Sequence, residues 1–228
     1  MKTAIILGAT GLTGGILLQK LLKDPTYGKV ILFSRSPVAV KDEKIEEHLI
    51  DLFKLEEYGE VFNGDVVFCC IGTTKSKTPN EETYRKIDYG IPVAAAKLCR
   101  ENGIPTFEVI SAMGANTKSK VFYNRIKGEM EEAVLAQKIE HTFIFQPSLI
   151  AGDREEKRVF EDLAKKAMKV LNFVLRGPLE KYRSIHPETI ATAMLKVERS
   201  GFPRTRIQSP EIKEIAKQIN KHINNDRN

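Results

Sequence analysis

Tyr123 and Lys127 stand four residues apart in Tyr123-Asn124-Arg125-Ile126-Lys127, and residues at that spacing share one face of a helix. An ammonium beside a phenol favours the phenolate and lowers a pKa that is about 10 in isolation. Tyr123 so placed can pass a proton to or from an oxygen atom. Upstream, Ser111 follows the run Val109-Ile110. A hydroxyl delivered at the carboxyl end of a strand can hydrogen-bond that same oxygen and hold it. In so lysine-rich a chain, a surface Tyr-Lys pair is the alternative.

A second constellation lies at the N-terminus, where four apolar residues run into Gly8-Ala9-Thr10-Gly11-Leu12-Thr13-Gly14 and then into a helical pattern. Glycines permit the tight turn and let backbone approach a pyrophosphate, whose charge is met by free N–H groups and the positive end of the helix dipole. Gly8, Thr10, Gly11, Leu12, Thr13 and Gly14 are therefore the expected phosphate contacts; an ordinary turn between strand and helix is the alternative. The next strand ends in Ser34-Arg35-Ser36, where an NAD site usually places an acid for the ribose hydroxyls. A guanidinium flanked by two hydroxyls suits a 2′-phosphate instead, which favours NADP(H) over a merely solvated arginine. Asp51, with Leu52 beside it, is placed to accept from an adenine amino group, or is simply an exposed acid. Ile71, Gly72 and Thr73 leave a later strand as the expected wall of the cofactor cleft.

The elements that must position these groups alternate. Apolar strands are expected at Thr3 to Leu7, Val30 to Phe33, Asp65 to Cys70, Thr106 to Ile110 and Thr142 to Phe145. Helices are expected at Leu12 to Leu22, Glu81 to Glu101 and Val121 to Gln137. Continuous apolar strands separated by helices are parallel strands covered on both faces, so the fold class is α/β, a doubly wound parallel sheet. Beyond Gln146 two charged amphipathic helices, Glu155 to Asn172 and Pro187 to Arg199, precede a terminal helix opened by Ser209-Pro210, with Ile212, Ile215, Ala216, Ile219 and Ile223 on one stripe. Residues about 147–228 read as a small substrate-covering lobe of one single domain.

Composition sets the outer limits. At 228 residues the chain fits one core. With 42% hydrophobic and 29% charged residues, and no run of roughly 18 apolar residues, a membrane span is not expected. The short N-terminal run lacks a signal peptide's long apolar core, which points to the cytoplasm. The net charge of +6 is spread among alternating acids and bases, a solvated surface that suits an anionic ligand better than nucleic acid. Three cysteines give no paired framework, and His48, His141, His186 and His222 are too scattered for a metal site.

The glycine loop, the strand-end serine and the Tyr-x-x-x-Lys pair, in that order over residues 1–150, resemble the short-chain dehydrogenase/reductase superfamily. Gly72-Thr73-Thr74-Lys75, Asp88-Tyr89, Ser111-Ala112-Met113-Gly114-Ala115, Lys127-Gly128-Glu129 and Asp153-Arg154 are similar to its atypical branch of Tat-interacting protein-like oxidoreductases. The resemblance implies NADPH use, cofactor contacts from Gly8, Gly11, Gly14 and Arg35, and a catalytic Ser111, Tyr123 and Lys127. Three positions depart from that branch: Gln146-Pro147-Ser148 stands where Arg-Pro-Gly is common, Ala112 replaces a second serine, and Asp88 stands where many members carry asparagine. The reading is an NADPH-dependent oxidoreductase of a small carbonyl or alcohol. The rivals are an NADPH-bound sensor and, with so short a C-terminal lobe, less readily a sugar-nucleotide epimerase. A homodimer through the helices is compatible with the resemblance.

Overall fold

The computed structural model describes residues 1–151 and 183–225, with side chains up to residue 218. The chain starts with β1 (Lys2–Leu7), α1 (Leu12–Leu22), β2 (Tyr27–Ser34), β3 (Ile45–Leu49), a 3-10 segment (Leu52–Val61) and β4 (Val66–Cys69). It continues through α2 (Glu81–Arg85), a π turn (Lys86–Gly90), α3 (Ile91–Glu101), β5 (Thr106–Ile110), α4 (Phe122–Leu135) and β6 (His141–Gln146). After the undescribed stretch come α5 (Pro187–Ser200), β7 (Arg206–Gln208) and α6 (Ser209–Asn225). The seven strands among the described residues form one sheet in the order β3-β2-β1-β4-β5-β6-β7, every pair parallel. This is the doubly wound α/β fold expected.

The strand apolar runs are continuous because both faces are covered. Ala4 to Leu7 are fully buried, yet neighbours point oppositely: Ala4 and Ile6 enter the core under α1, α5 and α6, whereas Ile5 and Leu7 enter the core under the 3-10 segment, α3 and α4. On the first face Leu17, Leu18 and Leu21 of α1 meet Ile190 and Met194 of α5, with Ile212 and Ile215 of α6 closing the layer. Part of the stretch expected as a substrate lobe is therefore core: β7 extends the sheet and α5 covers it. The expected helix Glu155 to Asn172 and the Asp153-Arg154 motif lie outside the described residues, as do the side chains of Ile219 and Ile223.

β3 and β7 were not expected as strands. Ile-Glu-Glu-His-Leu is an edge strand with charged side chains, and β7 has three residues, so neither carries the apolar pattern of a central strand. The single helix expected over Glu81 to Glu101 is three segments around the π turn.

β5 also buries Glu108, fully excluded from solvent, and among the described residues neither carboxyl oxygen has a hydrogen-bond partner. Burial, reinforced by the charge of Glu198, holds this carboxyl well above the ordinary range. In the unfolded chain Glu108 ionises near 4.3. Above that pH the unfolded state gives up a proton that the folded state keeps, so this group's contribution to stability is whole in acid and is lost as pH rises. The slope is about 1.4 kcal/mol per pH unit between the two pKa values. Glu108→Gln is expected to match the wild type in acid and to exceed it increasingly towards neutral pH, read by urea denaturation at pH 4 to 8. A stability gap that does not change with pH sinks this assignment.

Candidate functional site

The crossover in the strand order falls between β1 and β4, and ligands of such sheets lie at the carboxyl ends of the strands where the order reverses. The glycine loop occupies that position. Gly8 has φ of +91°, and a Cβ there would sit 2.9 Å from the Cys70 carbonyl oxygen beyond β4. A Cβ on Gly14 would lie 2.2 Å from the Gly8 carbonyl oxygen. Both glycines are thus required by packing of the loop on itself and on β4. Gly11 differs, since it is exposed and its nearest contact would be Gly8 O at 3.1 Å. It is also the N-cap of α1, with no side-chain cap and no acid in the first turn. The start of an 11-residue helix therefore offers N–H groups with no side-chain acceptor, the arrangement that a pyrophosphate fits.

From this loop a cleft of about 1240 Å³ runs past the ends of β4, β5 and β6. It brings together Gly11, Leu12, Thr13, Ile71, Gly72, Thr73, Ser111, Tyr123 and Lys127 of the expected site. Thr10 lines an adjoining hollow of about 890 Å³. The groups at the far edge of the sheet lie outside that lining. Arg35 and Ser36 are exposed directly after β2. Two of the expected cofactor contacts turn their side chains into the protein. Ser34 is 2% exposed and its hydroxyl turns inward, donating to Ser36 O at 2.9 Å with Glu47 at 3.3 Å, so it braces the loop that carries Arg35. Leu52 is an apolar core residue packed with Ile50 and Leu55. Asp51 caps the 3-10 segment, its Oδ1 accepting from the Phe53 N–H at 3.0 Å, while remaining exposed.

α4 carries Tyr123 and Lys127. Gly128 lets it lie against the loop after β5, since a Cβ there would sit 2.4 Å from the Asn116 backbone. Tyr123 is 38% exposed, with its ring edge-on to buried Tyr84 at 6.5 Å. Lys127, one turn on, is buried, its Nζ donating to Ile110 O at 3.3 Å and pairing with Asp88 Oδ1 at 2.9 Å. Burial works most strongly against this charge, but Asp88, Tyr123 and Cys69 together outweigh it and hold Lys127 above the usual lysine value. The charge that Lys127 offers Tyr123 is thus already shared with Asp88. Asp88 Oδ2 accepts the Thr73 N–H at 2.8 Å, which ties the segment after β4 to Lys127. Gly72 stands over the pair: a Cβ there would be 3.7 Å from Asp88 Oδ1 and 3.9 Å from Lys127 Nζ. Asp88 sits in the π turn, a local widening that gathers at functional sites.

Ser111 is 3% exposed and its Oγ meets Glu131 Oε1 at 2.5 Å. Glu131 also accepts from Gln146 Nε2 and from Arg206 Nε. The sequence carried a signal for Glu131, since Tyr123, Lys127 and Glu131 repeat at four-residue steps on one helix face. For Arg206, on a three-residue strand, it carried none. Burial pushes the Cys69 thiol up to about 11 and Cys70 well above its usual value, which leaves both poor nucleophiles. Among the described residues no three His, Cys, Asp or Glu side chains converge as metal ligands, and no helix is long and apolar enough to cross a membrane.

A seven-stranded parallel sheet with a glycine loop at its switch point defines a Rossmann-type dinucleotide-binding protein. More particularly, the chain belongs to the NAD(P)H-binding family, which matches residues 8–171. It is 34% identical to Protein HTATIP2 of Rattus norvegicus over 169 residues, 72% of this chain and 69% of that protein. It is 32% identical to Protein FMP52-1, mitochondrial, of Scheffersomyces stipitis over 75% of this chain and 77% of that one. Among solved structures, MoeE5 in complex with UDP-glucose and NAD superposes with a TM-score of 0.65 at 14% identity, over 95% of this chain and 81% of that one. The ADP-L-glycero-D-manno-heptose-6-epimerase of Helicobacter pylori gives 0.66 at 16%, over 95% and 82%. At such identities these two establish the fold. The domain is NAD(P)H-binding, which implies a nicotinamide cofactor. The expectation of a cytoplasmic protein is overturned, because fungal relatives at about this identity are named mitochondrial proteins.

Proposed function

We propose that this protein is an NADPH-dependent oxidoreductase of the short-chain dehydrogenase/reductase kind, acting on a small carbonyl or alcohol. The observation that carries the reading is the meeting of Tyr123, Lys127 and Ser111 in one cleft that continues to the Gly11 end of α1. When bound, the nicotinamide gives or takes the hydride. Tyr123 passes the proton at the substrate oxygen through its Oη. Lys127, held by Asp88 and Ile110 O, keeps a positive charge one helical turn away, which eases the build-up of phenolate. Ser111 lines the cleft beside that oxygen. Steady-state consumption of NADPH against a panel of aldehydes, ketones and quinones tests this; tight NADPH binding with no turnover of any of them would favour a cofactor sensor.

The preference for NADPH rests on Arg35, the basic residue exposed after β2 where a 2′-phosphate would lie. A charge-assisted hydrogen bond contributes about 1.5–3 kcal/mol, roughly ten- to a hundredfold in affinity. NADPH is expected to bind more tightly than NADH by that factor, and Arg35→Asp is expected to reverse the order. Fluorescence titration of both cofactors into both proteins decides it, and an unchanged preference removes Arg35 from the site.

A further inference from the structure

We propose that Glu131 is a positioning residue that fixes Ser111 as a hydrogen-bond acceptor, so that the centre grips an oxygen bringing its own hydrogen, an alcohol in preference to a carbonyl. This rests on the reading of Ser111, Tyr123 and Lys127 as the reactive centre.

Glu131 is 1% exposed, one turn beyond Lys127 on α4, and the ends of three adjacent strands converge on it. Gln146, closing β6, approaches Oε1 at 2.9 Å and Oε2 at 3.1 Å through Nε2; Arg206, opening β7, donates Nε–H to Oε2 at 2.7 Å. A second guanidinium nitrogen of Arg206 donates to Glu132 at 2.7 Å, which fixes the fork in place. A guanidinium has only hydrogens to give and keeps its charge, and a carboxylate facing such donors has only lone pairs. The one hydrogen in the Ser111–Glu131 contact is therefore the serine's.

A hydroxyl has a single hydrogen and two lone pairs. With that hydrogen committed to Glu131, the Ser111 oxygen meets the cleft as an acceptor only. A carbonyl oxygen, itself an acceptor, gains nothing from it and is served by the Tyr123 hydroxyl alone. An alcohol oxygen satisfies both, donating to Ser111 while accepting from Tyr123. The difference is one hydrogen bond, roughly a tenfold difference in affinity at the upper end of the usual range. Ser111 thereby biases the site towards the reduced form of its substrate.

Two measurements decide it without requiring turnover. Infrared difference spectra of protein labelled with carbon-13 at the glutamate carboxyls, with Glu131→Gln as the reference, are expected to give an ionised carboxylate stretch for Glu131 that shifts in Ser111→Ala. A protonated carboxyl stretch, or a band indifferent to Ser111→Ala, overturns the proposal. Ligand-observed NMR on protein loaded with redox-inert tetrahydro-NADP is expected to show cyclohexanol bound roughly tenfold more tightly than cyclohexanone, with the two levelled in Ser111→Ala. Equal affinities in the wild type, a preference that survives Ser111→Ala, or no binding of either compound overturns it. The oxidoreductase reading fails separately, on absence of NADPH consumption.

Discussion

Tyr123→Phe is expected to lower turnover by roughly a hundred- to ten-thousandfold, the range of a positioned acid/base group, while NADPH affinity stays near that of the wild type. The substitution keeps the ring that rests edge-on against Tyr84 and removes only the hydroxyl, so packing is preserved and the proton path is cut. Lys127→Met should behave differently. Its ammonium is buried beneath Gly72 of the cofactor wall and pairs with Asp88, whose other oxygen holds the Thr73 N–H. Removing the ammonium leaves Asp88 as a buried charge without its cation, so both rate and cofactor affinity should fall, and stability with them. Steady-state kinetics beside fluorescence titration of NADPH separates the two variants. A Tyr123→Phe protein that turns its substrate over at the wild-type rate rules out proton transfer through this residue.

Gly11→Val is expected to abolish NADPH binding, with the circular dichroism spectrum of the folded protein retained. Gly11 has φ of −85°, which any residue adopts, and a Cβ there meets only the Gly8 carbonyl at 3.1 Å, so the protein itself nearly tolerates a side chain. The space that valine would fill is the approach to the uncapped N–H groups of α1. Gly14→Ala is the control with the opposite expectation, because its Cβ would lie 2.2 Å from backbone and the loop cannot form around it. Isothermal titration of NADPH into both variants, with spectra recorded in parallel, is the check. Binding of unchanged affinity to Gly11→Val means that the loop is a turn and nothing more.

Much of this was legible in the chain. The central strands announce themselves as unbroken apolar runs because both faces of a parallel sheet are covered, and Ala4 to Leu7 are buried as that pattern requires. The glycine loop was legible because phosphate approach and tight turning both select glycine at a strand-to-helix junction. The pattern alone did not say which glycine answers to which demand; the packing assigns Gly8 and Gly14 to the turn and leaves Gly11 facing outward. The edge strands β3 and β7 escaped notice because an edge needs no apolar alternation. That the Ser34 hydroxyl turns to Ser36 O and Glu47 and that the Leu52 side chain enters the core is recorded in no local pattern, because those partners come from the packing of β2, β3 and the 3-10 segment.

What the sequence determined by itself is everything that depends on local period and local spacing: parallel strands, a helix-opening glycine loop, and a tyrosine and lysine on one helix face. What only the tertiary structure decided is which distant groups those side chains meet. Asp88 reaches Lys127 from a π turn hidden inside an apparently regular helix, and Arg206 reaches Glu131 across a sheet neighbour 75 residues away in the chain. Such partners are set by strand order and by the packing of α4 against the loop after β5, and no periodicity records them. They nonetheless set which charged groups lie one turn from Tyr123 and against Ser111, because those neighbours come from strand order and helix packing and not from local spacing.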